Sequence, residues 1–211
     1  MHTTAVDLVP SVPALFGYFY NDAPQLLSSP LARVVVDDLR RFLDGEKESY
    51  DVIVVDPPPP PRATASSLLY SREFYAVIKR HLRSDGVLQM WYPESGGDAS
   101  MSASIAKALK ESFPYVRAFQ SFDDFGIHFL AWSLCPGGSG SVLAARLPAA
   151  AAADFLEWNT TATPTGLFNR VLSRERSIEK IIAENPRVPA LEDDQPINEY
   201  FKLRSWFHYY R

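Results

Sequence analysis

Residues Tyr50 to Asp56 read YDVIVVD and run directly into five prolines, Pro57 to Pro61. Val52 to Val55 are β-branched throughout, which suits a parallel strand covered on both faces. Proline has no N–H to donate and a fixed φ, so the ladder cannot continue past Asp56 and the exit is extended and stiff. Open α/β sheets gather their ligand chemistry outside the carboxyl ends of the strands. Asp56 is therefore expected at the lip of a crevice, over a wall poor in backbone donors.

The rest of the chain alternates in the same manner. Ala5 to Val9 reads as a short strand, and Pro13 suits the first turn of the helix behind it. Arg33 to Val36 is a second β-branched run, closed by Asp37 and Asp38, with a helical turn at Leu39 to Leu43. Ser71 opens a helix to Leu82 whose apolar residues Phe74, Val77, Ile78 and Leu82 share one face, and Asp85-Gly86 separates it from a strand at Val87 to Tyr92. A further helix is expected over Ser102 to Phe113. Tyr115 to Phe122 and Ile127 to Leu134 form a hairpin around Asp123 to Gly126. This order implies an α/β fold of Rossmann type, a mostly parallel sheet with an antiparallel strand at its edge. After Leu134 the break Pro136-Gly-Gly-Ser-Gly leads into helical sequence, with one amphipathic helix predicted over Leu167 to Ile182. The domain boundaries follow: 1–135 for the nucleotide-binding domain and 136–211 for a helical extension packed on it.

Composition narrows the function. The 211 residues are 46% hydrophobic and 13% aromatic, enough for a real core, and the formal net charge is −4. Lys and Arg are scattered, so nothing offers a basic field to a nucleic acid. Cys135 is the single cysteine; it allows no internal disulfide or cysteine zinc cluster and fits a reducing cytoplasm. No apolar run reaches the roughly 18–20 residues of a membrane span, and the N-terminus lacks a signal-peptide pattern. Asp123-Asp124 and Asp193-Asp194 read as turn doublets, so no metal site is expected. His81, on a helix among arginines, and His128, alternating with Phe129 in a strand, read as structural. Ser141 and Ser173 have no His and Asp arranged around them.

The acids at strand ends carry the functional signal. Asp7, Asp38 and Asp56 end or follow three successive strands. A carboxylate after the second strand of a nucleotide-binding unit can accept from two ribose hydroxyls at once, and one after the next strand can accept from an adenine amine. A single such Asp is otherwise a helix cap or a solvated turn.

The segments AVDLVPSVPALFGYFYNDA, RVVVDDLRRFL, YDVIVVDPPPP, LLYSREFYAVIKRHLRSDGVLQMWYP, ESFPYVRAF and DDQPINEY, in this order and spacing, resemble the spermidine synthase-like family. Its members are aminopropyltransferase relatives of the class I S-adenosylmethionine-dependent methyltransferases. The likeness is to a bacterial branch often fused behind membrane helices, and it covers nearly the whole chain. It implies a small-molecule donor, S-adenosylmethionine or its decarboxylated form, an amine-like acceptor, no metal, and association into a homo-oligomer. Asp7 takes the place of the family's ribose-binding acid. Asp38 matches the acid that meets the adenine amino group, and Asp56 the first acid of the D-x-x-D catalytic loop, with Tyr70 near the acceptor.

Two departures accompany the likeness. Pro59 stands where the loop's second acid belongs, which removes a carboxylate for a cationic diamine. The family's first strand and glycine-rich loop correspond to positions before Met1, so the second strand and the Asp56 strand are expected to lack their shared neighbour. A truncated or late-start version of a longer protein, or a gap filled by another chain, is the expectation. Asp56-Pro57-Pro58 is also similar to the D-P-P-aromatic loop of amino-group methyltransferases, but Pro59 provides no stacking platform. The reading is a transferase moving an aminopropyl or methyl group to an amine, with a non-catalytic binding or assembly domain as its rival. The closing DDQPINEY segment is assigned to docking the C-terminus, with Trp206, Phe207, Tyr209 and Tyr210 covering core or a subunit contact.

Overall fold

A computed structural model describes residues 1–56, 63–93, 99–122, 124–134, 138–157, 159, 161–199 and 206. The proline run with Pro59, Asp123, Cys135, Phe207, Tyr209 and Tyr210 lie outside the described residues. The chain forms two compact units, Met1–Glu48 and Ser49–Arg211.

In the first unit β1 (Thr3–Asp7) leads through α1 (Ser11–Phe19) and α2 (Ala23–Leu27) to β2 (Ala32–Val36), and α3 (Leu39–Gly45) follows. The strands pair in parallel, with Asp7 opposite Val36. β1 begins earlier than its apolar run suggests, because Thr3 donates its N–H to the Leu31 carbonyl at 2.8 Å and threonine suits a pleated edge. Phe42 and Leu43 are the buried residues of α3. Arg33 lies 5.2 Å from the Phe42 ring centre and pairs with Glu46 at 2.8 Å.

The second unit is built on a five-stranded mixed sheet. Its strands are β3 (Tyr50–Val55), β4 (Leu82–Tyr92), β5 (Tyr115–Gln120), β6 (Ile127–Trp132) and β7 (Glu175–Arg176), in the order β3-β4-β6-β5-β7. β3 and β4 are parallel, while β6 runs antiparallel to β4 and β5. The sequence places the reversed strand at the sheet edge. In the structure it is interior, with the two-residue β7 outermost and antiparallel to β5. The side chains explain the order: Ile127, Phe129 and Ala131 of β6 are all buried, whereas Tyr115 of β5 is 46% exposed.

Two helices cover one face of this sheet. In α4 (Arg72–His81) the Ser71 hydroxyl accepts from the Phe74 N–H at 3.2 Å, the expected cap. Phe74, Tyr75, Val77 and Ile78 of α4 and Leu88, Met90 and Tyr92 of β4 are all buried, with the Tyr75 ring against Phe113; removal from water contributes about 1.5–3 kcal/mol for each large apolar side chain. α5 (Ala99–Ser112) adds Ile105 and Leu109, both fully buried. The opposite face corrects the expectation of a doubly covered strand. Ile53 and Val55 are buried, but Val52 and Val54 are 54% and 62% exposed.

The rest of the unit is α6 (Gly140–Arg146), α7 (Ala149–Leu156), α8 (Pro164–Leu172) and α9 (Ile178–Glu184). The single helix predicted over Leu167 to Ile182 is thus α8, β7 and α9. Leu167, Val171, Ile178 and Ile182 keep helical spacing, but Ser173 to Ser177 between them carry no apolar residue and tertiary pairing prevails: Ala118 and Phe119 of β5 pair with Arg176 and Glu175, and Ser177 restarts a helix by accepting from the Lys180 N–H at 3.2 Å. Arg117 grips Glu175 through two bonds of 2.7 and 2.6 Å, which hold that carboxyl below its ordinary value. The folded value is the lower one, so this contribution is complete above the unfolded pKa and fades as pH falls through the folded one. Glu175→Gln is expected to cost under about 1 kcal/mol near neutrality, because the pair is partly exposed. In urea melts the deficit against wild type should vanish in strong acid; a constant deficit would show that charge is not its source.

The chain after α9 runs as a strap along α5. Asn185 Nδ2 donates to Ser100 Oγ at 2.7 Å, Lys107 Nζ to the Pro186 carbonyl at 2.8 Å, and Ser104 Oγ to the Pro189 carbonyl at 2.7 Å. It then crosses the start of α4, where the Arg72 N–H donates to the Leu191 carbonyl at 2.9 Å and Glu73 accepts from the Asp193 N–H at 3.1 Å. Trp206 is 81% exposed, so it covers no core among the described residues. No helix among the described residues is long and apolar enough to cross a membrane.

Candidate functional site

The open face of the five-stranded sheet carries a cleft of about 500 Å³. Strand register builds its floor. Val54 pairs with Gln89, and Trp91 with His128, so these four side chains alternate onto the same face. Asp56, directly after β3, and Ser121, Phe122 and Phe125 of the β5–β6 turn complete the lining.

The floor is held by polar and aromatic contacts. Gln89 Nε2 lies 3.0 Å from His128 Nδ1. The Trp91 ring stacks on His128 at 6.5 Å between centres and meets Phe125 at 6.1 Å. The turn above is pinned from α8 and the residues behind it. Arg174 donates to the Gln120 and Ser121 carbonyls at 3.1 and 2.6 Å and pairs with Asp124, while Arg170 sits 4.7 Å from the Phe122 ring centre. Gly126 has φ +104° and packs so closely that a Cβ there would lie 2.6 Å from the Trp91 indole nitrogen.

Asp56 makes no hydrogen bond or ion pair among the described residues, although it lines the cleft. An unengaged carboxylate beside aromatic walls can take a cation and can accept a proton from it. Tyr70 is buried, 1% exposed. Its hydroxyl reaches the Trp91 carbonyl at 3.4 Å and its ring meets Tyr92 edge-on. Burial first, then Tyr92 and Asp56, push this phenol far above its ordinary range, so it stays protonated.

Asp7 and Asp38 belong to the first unit, at the same end of its parallel pair. Asp7 Oδ1 accepts from the Val9 N–H at 2.8 Å, and Asp38 Oδ1 caps α3 by accepting from the Arg41 N–H at 2.9 Å. Each keeps Oδ2 without a partner among the described residues. The neighbouring Asp37 instead holds the Arg41 side chain, which keeps its carboxyl below the usual value. Among the described residues no group of three or more His, Cys, Asp or Glu is placed to hold a metal ion.

Of the residues singled out from sequence, Asp56 is brought into the cleft with Tyr70 close by, and Asp7 with Asp38 into the other unit. Gln89, Trp91, Phe122, Phe125 and His128 were not anticipated as lining. The signal existed in the alternation of β4 and β6, where Gln89, Trp91 and His128 share the parity opposite to the buried residues. His81, by contrast, is buried within α4.

The model of the spermine/spermidine synthase domain family matches residues 7–122. A polyamine aminopropyltransferase of Pyrobaculum calidifontis is 31% identical over 113 residues, which is 50% of this chain and 38% of that protein. One from Sulfurisphaera tokodaii is 30% identical over 130 residues, 59% of this chain and 43% of that protein. The chain thus matches less than half the length of these relatives. Among solved structures, a probable spermidine synthase from Corynebacterium glutamicum superposes with a TM-score of 0.60 at 16% identity, covering 91% of this chain and 63% of that one.

Proposed function

The chain belongs to the spermine/spermidine synthase domain family, and from that membership we propose that it transfers an aminopropyl or methyl group from an S-adenosylmethionine-type sulfonium to an amine in the Asp56 cleft. The observation that carries this reading is the Asp56 carboxylate, unengaged among the described residues, in a cleft lined by Trp91, Phe122 and Phe125. An alkylamine has a pKa of about 10 and is protonated near neutrality, so it cannot attack until a positioned base takes a proton. Asp56 accepts that proton. The nitrogen lone pair then forms a bond to the carbon beside sulfur, the carbon–sulfur bond breaks, and its electron pair neutralises the sulfonium to a thioether. The aromatic walls stabilise the incoming cation by cation–π attraction, about 0.5–2 kcal/mol per contact, and limit water around the reacting atoms.

Asp7 and Asp38 are assigned to the donor nucleoside. Their Oδ2 atoms, without a partner among the described residues, suit ribose hydroxyls and an adenine amine respectively, while Oδ1 fixes the orientation of each carboxylate. The rival reading, a non-catalytic binding or assembly domain, is favoured by one feature, Pro59 in place of a second acid.

Calorimetric titration with S-adenosylmethionine, its decarboxylated form and methylthioadenosine tests the assignment. Binding that Asp38→Ala weakens about tenfold or more, the loss of one or two hydrogen bonds to a charged group, is expected. A folded chain that binds none of the three supports the binding or assembly domain instead.

A further inference from the structure

The last described residue of the DDQPINEY segment is a buried carboxylate, Glu199, that the proposed chemistry does not use. Glu199 is 5% exposed and Asn198 1%. Among the described residues Glu199 pairs with no Lys or Arg; Ser67 supplies both of its hydrogen bonds, from the N–H at 3.2 Å and the hydroxyl at 2.5 Å. Asn198 Nδ2 donates to the neighbouring Ser66 Oγ at 2.8 Å. A buried carboxylate with so few partners is costly to keep. Its position shows what it holds.

Ser66 and Ser67 open the 3₁₀ turn Ser66–Leu69, which leads into Tyr70. The turn is entered through Ala65 at φ +68°, a left-handed conformation that costs a non-glycine residue about 1–2 kcal/mol and needs outside support. Its end is fixed by the Tyr70 N–H, which donates to the Ser67 carbonyl at 2.9 Å. Tyr70 in turn meets Tyr92 and the Trp91 carbonyl, and Trp91 is a wall of the cleft. The path from Glu199 to the cleft is therefore Ser67, Tyr70, Trp91, each step a hydrogen bond of the fold.

We propose that Glu199 and Asn198 are positioning residues: they clamp the turn that sets Tyr70 against Trp91 and so fix the wall of the Asp56 cleft. The relevance of that wall to an amine rests on the proposed function, but the clamp itself does not. Glu199→Ala removes Oε1, the single oxygen that accepts both Ser67 bonds. Glu199→Gln keeps the shape and one side-chain oxygen able to accept from both the Ser67 N–H and its hydroxyl.

The experiment uses the whole chain with 3-fluorotyrosine at position 70, and separately at position 75 as a buried reference, and reads the fluorine resonance with and without putrescine. In Glu199→Ala the position-70 resonance should move while the position-75 resonance stays, and putrescine affinity should fall about tenfold, the scale of a wall displaced by a fraction of an ångström. Glu199→Gln should restore both. An unmoved position-70 resonance in a folded Glu199→Ala, or equal movement at both positions, overturns the clamp. If that variant does not fold, Ser67→Ala, which loses only the hydroxyl arm, takes its place with the same criteria. Wild type that fails to bind putrescine counts against the acceptor reading alone, since the resonances still decide the clamp.

Discussion

Asp56→Asn is expected to lower amine-transfer turnover by about 10²–10⁴-fold, the usual contribution of a positioned general base. An amide nearly matches the carboxylate in shape, so the cleft keeps its form but loses its proton acceptor and its negative charge. Because Asp56 makes no hydrogen bond or ion pair among the described residues, stability should stay within about 0.5 kcal/mol of wild type, as for a surface substitution. Tyr70 should also stay protonated, since burial is the leading cause of its raised pKa and Asp56 the last. Initial rates with a decarboxylated or ordinary sulfonium donor and an excess of amine, measured beside melting curves, check both halves. Undiminished turnover in the variant would remove Asp56 from the chemistry.

Gly126→Ala should have the largest effect on stability of any single methyl added to the cleft. Its φ of +104° lies where a side chain is strained, and the new Cβ would stand 2.6 Å from the Trp91 indole nitrogen and 2.7 Å from the Tyr92 carbonyl. Neither neighbour can retreat cheaply: Trp91 is held by its ladder partner His128, and the Tyr92 carbonyl is backbone. Strain of about 1–3 kcal/mol adds to overpacking of about 1–3 kcal/mol. For a chain of this size, at about 2–4 °C per kcal/mol, the melting temperature should fall by roughly 4–24 °C. Thermal unfolding followed by tryptophan emission would report both the loss and the displaced indole. A variant that melts with wild type would mean the turn can open without cost.

These two positions differ in how far the sequence announces them. Asp56 is legible because a β-branched run ending in an acid and then proline has few other readings. The Ser71 cap, the apolar face of α4 and the β5–β6 hairpin are local patterns and were equally plain. Gly126 is legible as a turn glycine of that hairpin, but its close approach to the Trp91 ring and the Tyr92 carbonyl is a tertiary fact. Gln89, Trp91 and His128 alternate correctly in the sequence, but which parity faces helices and which faces solvent depends on where α4 and α5 pack. The helix predicted across Ser173 to Ser177 fails for a related reason. Its apolar positions on either side keep helical spacing, and two residues of pairing with β5 within the polar stretch between them, reinforced by Arg117 and Glu175, interrupt it. Asp7 and Asp38 do perform the modest local tasks open to any such Asp, a turn and a helix cap, and their second oxygens are what the nucleoside assignment uses.

The strap has a consequence in time as well as in space. The β5–β6 hairpin closes over a short turn, but Ser67 meets Glu199 across 132 positions. Closing the longer loop costs more chain entropy, by about 0.6 kcal/mol for each doubling of length, and such distant contacts are the ones that slow folding. Synthesis proceeds from the N-terminus. A nascent chain therefore holds Asp56 and the Ser66–Leu69 turn well before the ribosome has made the residues proposed to clamp that turn, and the cleft wall is set only once Glu199 has emerged.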